Sequence, residues 1–151
     1  MKFTNMVHPS PEQAKAFFDG EEDGPMCMVN LLKFKEKAEY ADGSEPELSG
    51  RDAYLRYGAA VQLCLASVGG KGRFSGTVTD LMLGEVEELW DMIAIAEYPS
   101  RLAMLQMVQS PEYQAITKHR DAGLAGQLNI RTKALGAQEA GRQEQNGLQK
   151  R

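Results

Sequence analysis

A few polar residues of this sequence lie among apolar neighbours, where they could bind or react with a ligand, and Asn30 is the first of them. It interrupts an apolar run from Met26 to Phe34 that is typical of a buried strand. A buried carboxamide costs free energy unless it is hydrogen-bonded, so Asn30 needs a partner. That partner is either a neighbouring loop or helix, which makes the role structural, or a bound ligand. We include Asn30 in the predicted ligand-binding set.

His119 and Arg120 end the helical segment that begins at Ser110. Cationic side chains at this end of a helix interact favourably with its dipole, and that is one role for both residues. Arg120 also shares a helical stripe with Tyr113 and Ile116, so its guanidinium can instead turn inward and bind an anion. His119 is the histidine of the expected folded core, which makes it the candidate general base. We therefore predict a catalytic role for His119 and a ligand-binding role for Arg120.

Tyr54, Arg73 and Asp91 complete the predicted site. Tyr54 lies with Tyr57 on the apolar stripe of a helix, where a tyrosine is either part of the core or a ligand contact. Arg73 and Asp91 stand at the ends of two neighbouring predicted strands, where they form either a structural ion pair or part of a site. We expect a site between the sheet and the helices, with the following ligand-binding residues: Asn30, Tyr54, Arg73, Asp91 and Arg120.

Strong catalytic motifs are missing from the sequence. It contains no H-E-x-x-H, C-x-x-C, G-x-S-x-G or strand-linked G-x-G-x-x-G pattern. The glycine-rich stretch at residues 69–72 lacks the G-K-S/T ending of a phosphate loop and reads as a helix stop followed by a tight turn. His8 and His119 are the two histidines, too few for a multi-histidine metal site. We predict neither a metal nor a cofactor.

Composition limits the partners and the compartment. The 151 residues include 17 basic and 21 acidic side chains, so there is no basic surplus to neutralise a phosphate backbone, and we expect no nucleic-acid partner. Cys27 and Cys64 both occupy apolar positions, as small hydrophobic residues do in a reduced protein. No segment has the length and hydrophobicity of a signal peptide or a membrane span. These features predict a cytoplasmic protein without a membrane partner.

The apolar periodicity predicts one α+β domain over residues 1–135 and a disordered polar tail over residues 136–151. An N-terminal helix capped by Ser10 is followed by the order β-α-β-β-α-β, in which the first and third strands are the most buried. The second α unit is split into helices that start after Ser100 and after Ser110. The predicted strands cover residues 26–34, 73–83, 90–98 and 128–133, the last as an edge strand with one wet face.

Four stretches together resemble a known family: residues 28–34 (MVNLLKF), Gly69-Gly70, residues 90–101 (WDMIAIAEYPSR) and residues 110–114 (SPEYQ). The chain is similar to domain-of-unknown-function family 1330, a branch of the dimeric α/β-barrel superfamily. The resemblance covers roughly residues 26–132. It implies a ferredoxin-like β-α-β-β-α-β sandwich, here with an extra N-terminal helix, that pairs with a second copy into a dimeric α/β barrel.

The resemblance also implies a class of function. Relatives include cofactor-free monooxygenases, lactone isomerases and haem enzymes, and they commonly hold a pocket between the sheet and its helices. By that analogy this protein binds a small molecule and acts as a cofactor-free isomerase or monooxygenase on small aromatic or lactone-like compounds. The alternative is a non-catalytic binding or stress-related dimer. Haem is the weakest option because His119 would have to turn inward as its axial ligand.

Overall fold

The structure is a computed structural model that describes residues 2–136. Except for Gly136, the predicted polar tail over residues 136–151 lies outside the described residues. The elements, in chain order, are α1 (Pro11–Phe18), β1 (Met26–Phe34), α2 (Gly50–Ser67), β2 (Lys71–Thr77), β3 (Met92–Tyr98), α3 (Arg101–Gln109), α4 (Pro111–Gly123) and β4 (Leu124–Thr132).

A serine starts each of these helices. The hydroxyls of Ser10, Ser49, Ser100 and Ser110 each accept a hydrogen bond from a backbone N–H three residues on, at 2.9 to 3.2 Å. In α1 and α4 a proline follows the serine, where its missing N–H costs nothing. These local signals are why the predicted starts after Ser10, Ser100 and Ser110 are confirmed.

The four strands form one antiparallel sheet in the order β2-β3-β1-β4. The most buried predicted strands, β1 and β3, are the inner pair, and the ferredoxin-like fold is confirmed. The prediction that the second strand runs to Leu83 is wrong, since β2 ends at Thr77. Beyond Thr77 there is one further backbone hydrogen bond, in which the N–H of Val78 donates to the carbonyl oxygen of Asp91 at 2.9 Å. Residues 78–91 form the loop that joins β2 to β3.

The two faces of the sheet differ in what covers them. Alternate residues of β1, including Met26, Met28 and Leu32, are buried against the helices. The residues between them point to the opposite face, where the strand register places another apolar set. We call this set the open face, and it consists of Val29, Leu31, Phe74, Ile93, Ile95, Leu128 and Ile130. Within the single chain Phe74 is 59% and Ile130 44% exposed.

The backbones of helices α2 and α4 are in close contact at two glycines, Gly50 and Gly123. A Cβ on Gly50 would overlap the carbonyl oxygen of Lys35 and lie 2.8 Å from that of Gly123. A Cβ on Gly123 would likewise overlap the carbonyl oxygen of Gly50 and lie 2.9 Å from the backbone nitrogen of Tyr54. Because these neighbours are backbone atoms, they cannot rotate away. This close contact sets the position of α4, which carries Arg120.

Replacing Gly50 with alanine should therefore destabilise the fold. We expect Gly50→Ala to lower the free energy of unfolding by about 1–3 kcal/mol, the usual cost of overpacking. The matched control is Gly58→Ala in the same helix, because nothing lies within 4 Å of a Cβ at that position. That change should raise stability by about 0.5–1 kcal/mol. Urea unfolding of both variants measures the difference, and equal effects would contradict the packing argument.

Candidate functional site

A cavity of about 540 Å³ lies between the covered side of the sheet and helices α2, α3 and α4. A second hollow of about 400 Å³ adjoins it beside α1 and the N-terminal segment, and both are lined by His8, Met28 and Arg120. Methionine and tyrosine side chains supply much of the larger cavity's wall, namely Met28, Met92, Met104, Met107, Tyr54, Tyr57, Tyr98 and Tyr113. Its polar lining includes His8, Asn30, Arg120, Asp121, Gln127 and Asn129.

A chain of hydrogen bonds joins three of these polar residues. Asn30 on β1 donates through Nδ2 to the carbonyl oxygen of Ala94 at 3.1 Å. Its own Oδ1 accepts from Gln127 Nε2 at 2.6 Å, and Gln127 Oε1 accepts from Arg120 at 2.6 Å. Asn30 therefore has the partners that its burial requires. The same bonds fix the orientation of the Gln127 amide so that its oxygen faces Arg120.

Arg120 is the charged group in this chain of bonds, and its side chain is only 15% exposed. One terminal nitrogen donates both to Gln127 and to the backbone oxygen of Val7, the latter at 2.5 Å. The other nitrogen lies 3.4 Å from a carboxylate oxygen of Asp121. The two short bonds go to neutral oxygens, and the carboxylate is more distant. The positive charge is therefore only partly neutralised where it borders the cavity.

The tyrosines of the wall form a packed cluster. The hydroxyls of Tyr57 and Tyr113 lie 2.9 Å apart, and the rings of Tyr54 and Tyr57 contact each other with centroids 5.3 Å apart. Burial raises the pKa of Tyr54 to about 12, with the nearby charge of Arg120 opposing the shift. Burial also raises the pKa of Tyr57 and of Tyr98. Near neutral pH these phenols are uncharged hydrogen-bond donors, so they do not act as bases.

The structure brings three of the five predicted ligand-binding residues to the cavity: Asn30, Tyr54 and Arg120. The prediction that Arg73 pairs with Asp91 is wrong, because Arg73 binds Glu97 at 3.0 Å. Asp91 instead accepts from the backbone N–H of Phe34 at 2.8 Å. Neither Arg73 nor Asp91 lines the cavity.

His119 also lies away from the cavity wall. Its Nδ1 is 2.7 Å from the hydroxyl of Tyr40, in the loop between β1 and α2, and the two rings meet edge to face. Desolvation by burial, aided by Lys118 and Arg56, lowers the pKa of His119. A neutral imidazole that contacts Tyr40 joins this loop to α4, so in this position His119 is part of the packing.

Sequence reasoning missed Gln127 and His8. Asn129 and Arg131 lie on the face of β4 that we predicted to be wet. The predicted start at Leu128 is wrong, because β4 begins at Leu124, and Gln127 therefore belongs to the same polar face. The register places this face on the helix side of the sheet, opposite Leu32, Asn30 and Met28 of β1. The alternation of polar and apolar residues correctly indicated a strand. Which of its two faces turns toward the helices depends on how β4 pairs with β1. His8 belongs to no helix or strand, so no periodicity pointed to it.

The part of the chain that the structure describes contains neither a cluster suited to a metal ion nor a helix suited to a membrane. Between residues 2 and 136 no cluster of three or more histidine, cysteine, aspartate or glutamate side chains is arranged to hold a metal ion. Within the same range no helix has both the length and the hydrophobicity needed to cross a membrane.

Comparisons with known proteins place the chain in a family. The profile of the domain of unknown function DUF1330 matches residues 33–132. The chain belongs to the DUF1330 family. The resemblance read from the four sequence stretches is thereby confirmed. No curated protein is significantly similar to the chain in sequence.

Several solved structures are similar to the chain. The crystal structure of RPA0582 from Rhodopseudomonas palustris, a protein of unknown function, is 33% identical with a TM-score of 0.76, over 88% of this chain and 99% of that one. The methylated form of RPA0582 gives 34% identity and a TM-score of 0.78, over 89% and 98% of the two chains. A dimeric protein of unknown function with a ferredoxin-like fold from Bacteroides fragilis is 12% identical with a TM-score of 0.49, over 74% and 97%.

The phenol of Tyr54 predicts a loss of stability at alkaline pH. Its pKa is about 12 in the folded chain, against 10.0 for an ordinary tyrosine. The neutral Tyr54 phenol contributes to the free energy of unfolding, and this contribution is fully present below pH 10. It is lost as the pH rises through about 12, because the phenol ionises at lower pH in the unfolded chain than in the folded one. We expect the free energy of unfolding in urea to fall across this interval. In Tyr54→Phe the fall should be smaller by up to about 3 kcal/mol, and an unchanged fall would contradict the assignment.

Proposed function

We propose that this protein binds a small aromatic or lactone-like acid in the cavity and acts on it as an isomerase that needs no bound cofactor. A cofactor-free monooxygenase acting on the same class of compound would use the same binding site. The observation that carries the proposal is the position of Arg120, a partly neutralised charge at the polar end of an aromatic cavity.

The apolar part of the wall suits a flat, apolar ligand. A cavity of about 540 Å³ lies within the size range of small-molecule sites. Tyrosine rings and methionine side chains offer faces and edges to an aromatic or cyclic molecule, and methionine adapts its shape to what it contacts. A ligand of this kind would gain most of its affinity from burial of apolar surface.

The polar end suits a carboxylate. The guanidinium of Arg120 is mostly removed from water, which strengthens its attraction for an anion. Tyr54 lies close enough to feel this charge, since Arg120 opposes the rise in the pKa of Tyr54. The hydroxyls of Tyr54 and Tyr98 have no hydrogen-bond partner within residues 2–136, and both side chains line the cavity. Each can donate to a carbonyl oxygen of the ligand, where negative charge develops when a neighbouring C–H is deprotonated.

The second candidate function is that of a non-catalytic binding dimer. The hydrogen bonds of Arg120 favour it, because its acceptors Val7, Gln127 and Asp121 are all groups of the protein itself. In this case Arg120 mainly holds the N-terminal segment against α4 and β4, and the cavity binds ligands without changing them.

Replacing Arg120 by methionine separates the two roles. A panel of small aromatic acids, lactones and quinones should contain a ligand that raises the melting temperature, since saturation at about 100 times Kd adds about 2.7 kcal/mol. For the acids that bind, we expect Arg120→Met to lower affinity about 10- to 100-fold in calorimetry, the value of a hydrogen bond to a charged group. Arg73→Met is the matched control, because Arg73 lies outside the cavity.

Three results of this experiment have distinct meanings. Arg73→Met should bind the acids as the wild type does. If Arg120→Met folds and also binds normally, Arg120 is a structural tie and the anion site is refuted. If no compound of the panel binds the wild type, the small-molecule function is refuted.

We further propose that the protein acts as a homodimer joined through the open face. This face carries Val29, Leu31 and Ile95 in the middle of the sheet, with Phe74 and Ile130 toward its edges. The helices all cover the other side, so the single chain leaves a contiguous apolar surface in water. A second copy offers an equally apolar surface, and a two-fold axis would pair the faces.

Light scattering at micromolar concentration tests this arrangement. We expect a mass of about twice the 16.6 kDa of the chain. Ile93→Lys places a charge on the open face and should shift the mass toward the monomer with unchanged circular dichroism. The control is Leu63→Lys on α2. It adds the same charge outside the open face, at a leucine that is already 80% exposed. A monomeric wild type would refute the proposal.

A further inference from the structure

His8 lies beside Asp121 where the cavity opens to solvent. Its Nε2 is 3.1 Å from Asp121 Oδ1, and the side chains are 65% and 44% exposed. Both residues line the larger cavity, and His8 also lines the adjoining hollow. The pair joins a segment that precedes α1 to the last turn of α4. It therefore forms only when the chain is folded.

We propose that His8, positioned by Asp121, is the proton-transfer base of the cavity, and that the substrate is a small aromatic acid with a C–H next to a carbonyl, such as an aromatic 2-oxo acid. The proposal rests on the proposed function, because it uses the same cavity and the same anion site. It adds the group that moves the proton and the class of carbon acid that the group can deprotonate.

The geometry places the base next to the anion site. The carboxylate oxygen that faces His8 Nε2 is the same Asp121 Oδ1 that lies 3.4 Å from Arg120. The residue before His8, Val7, accepts a hydrogen bond from Arg120 through its backbone oxygen. A carboxylate on Arg120 would therefore hold the adjacent carbons of the substrate near the imidazole. Asp121 faces Nε2 and favours a proton there, which leaves the lone pair of Nδ1 as the base.

The reaction balances without a further reactant. The imidazole Nδ1 takes a proton from the carbon next to the carbonyl, and the electron pair of the broken C–H bond forms a C=C bond. The carbonyl oxygen gains the negative charge, where the neutral hydroxyl of Tyr54, which lies near enough to Arg120 to sense its charge, can donate a hydrogen bond. The imidazolium then returns its proton to that oxygen, which yields the enol. No electrons leave the substrate, so the step needs neither an oxidant nor a reductant.

A purely structural role explains this pair less well. Ion pairs as exposed as His8 and Asp121 contribute little to stability. The N-terminal segment is already held by the bond from Arg120 to Val7 and by an antiparallel bridge between Met6 and Gln127. The other histidine, His119, contacts Tyr40 away from the cavity wall. His8 is thus the histidine that the fold brings to the cavity.

The test uses phenylpyruvate as the probe, in D₂O, with the full-length protein. Proton NMR follows the exchange of its C3 hydrogens for deuterium, and saturation-transfer difference spectra of the same samples report binding. We expect the wild type to bind the probe and to accelerate exchange. His8→Gln should bind it equally well but exchange at least ~100-fold more slowly, the usual contribution of a general base. His119→Gln is the matched control and should exchange like the wild type.

Asp121→Asn tests the positioning role separately. In the wild type, ¹⁵N spectra of the imidazole should show His8 protonated at Nε2, and in Asp121→Asn they should show a mixture of the two tautomers. Exchange should fall about 10-fold in that variant. A structural contact alone would not change the tautomer and the rate together.

The outcomes distinguish the two proposals. Suppose that the wild type binds phenylpyruvate but exchanges its C3 hydrogens no faster than a solution of free imidazole does, or no faster than His8→Gln does. The role of His8 is then refuted and the binding function stands. If loss of exchange follows His119→Gln instead, the role of His8 is likewise refuted. If the wild type neither binds nor exchanges the probe, both the substrate class and the binding of aromatic acids are refuted.

Discussion

The hydrogen bonds of Arg120 hold together parts of the molecule that are far apart in the sequence. Arg120 on α4 donates to the backbone of Val7 near the N-terminus and to Gln127 on β4, and Gln127 donates to Asn30 on the inner strand β1. A guanidinium that is 15% exposed is costly to bury unless oxygens surround it. The N-terminal segment supplies one of those oxygens. The hydrogen bonds that stabilise the buried charge of Arg120 therefore hold the N-terminal segment against the sheet. They also keep the guanidinium at the edge of the cavity.

The surroundings of this charge divide the chemistry of the cavity. Deep in the wall, burial raises the pKa values of Tyr54, Tyr57 and Tyr98, so their hydroxyls stay neutral and donate hydrogen bonds. Toward solvent, the side chains of His8 and Asp121 are 65% and 44% exposed, so both remain in contact with water. Burial thus separates the neutral tyrosine donors in the wall from the exposed pair of His8 and Asp121 at the mouth of the cavity.

The alternation of residues along each strand links the cavity to the open face. In β1, Asn30 faces the cavity and its neighbours Val29 and Leu31 face the other way. A shift of register by one residue would exchange the two sets and put the carboxamide on the apolar surface. The same alternation in β4 places Gln127 beside Asn30 and sends Leu128 to the open face. The site and the proposed dimer surface therefore depend on the same strand register.

The order of the elements could be predicted from the sequence because it follows from local rules, whereas the end of β2 and the start of β4 could not. Serine caps, proline positions and apolar periodicity identified the helices and the inner strands, and the stretch at residues 90–101 pointed to the family. Which polar groups meet depends on how the elements pack together. Arg73 pairs with Glu97 and not with Asp91, and His8 reaches the cavity while His119 packs against Tyr40. These contacts join residues many positions apart, so they depend on strand register and helix packing, which no local pattern in one sequence records.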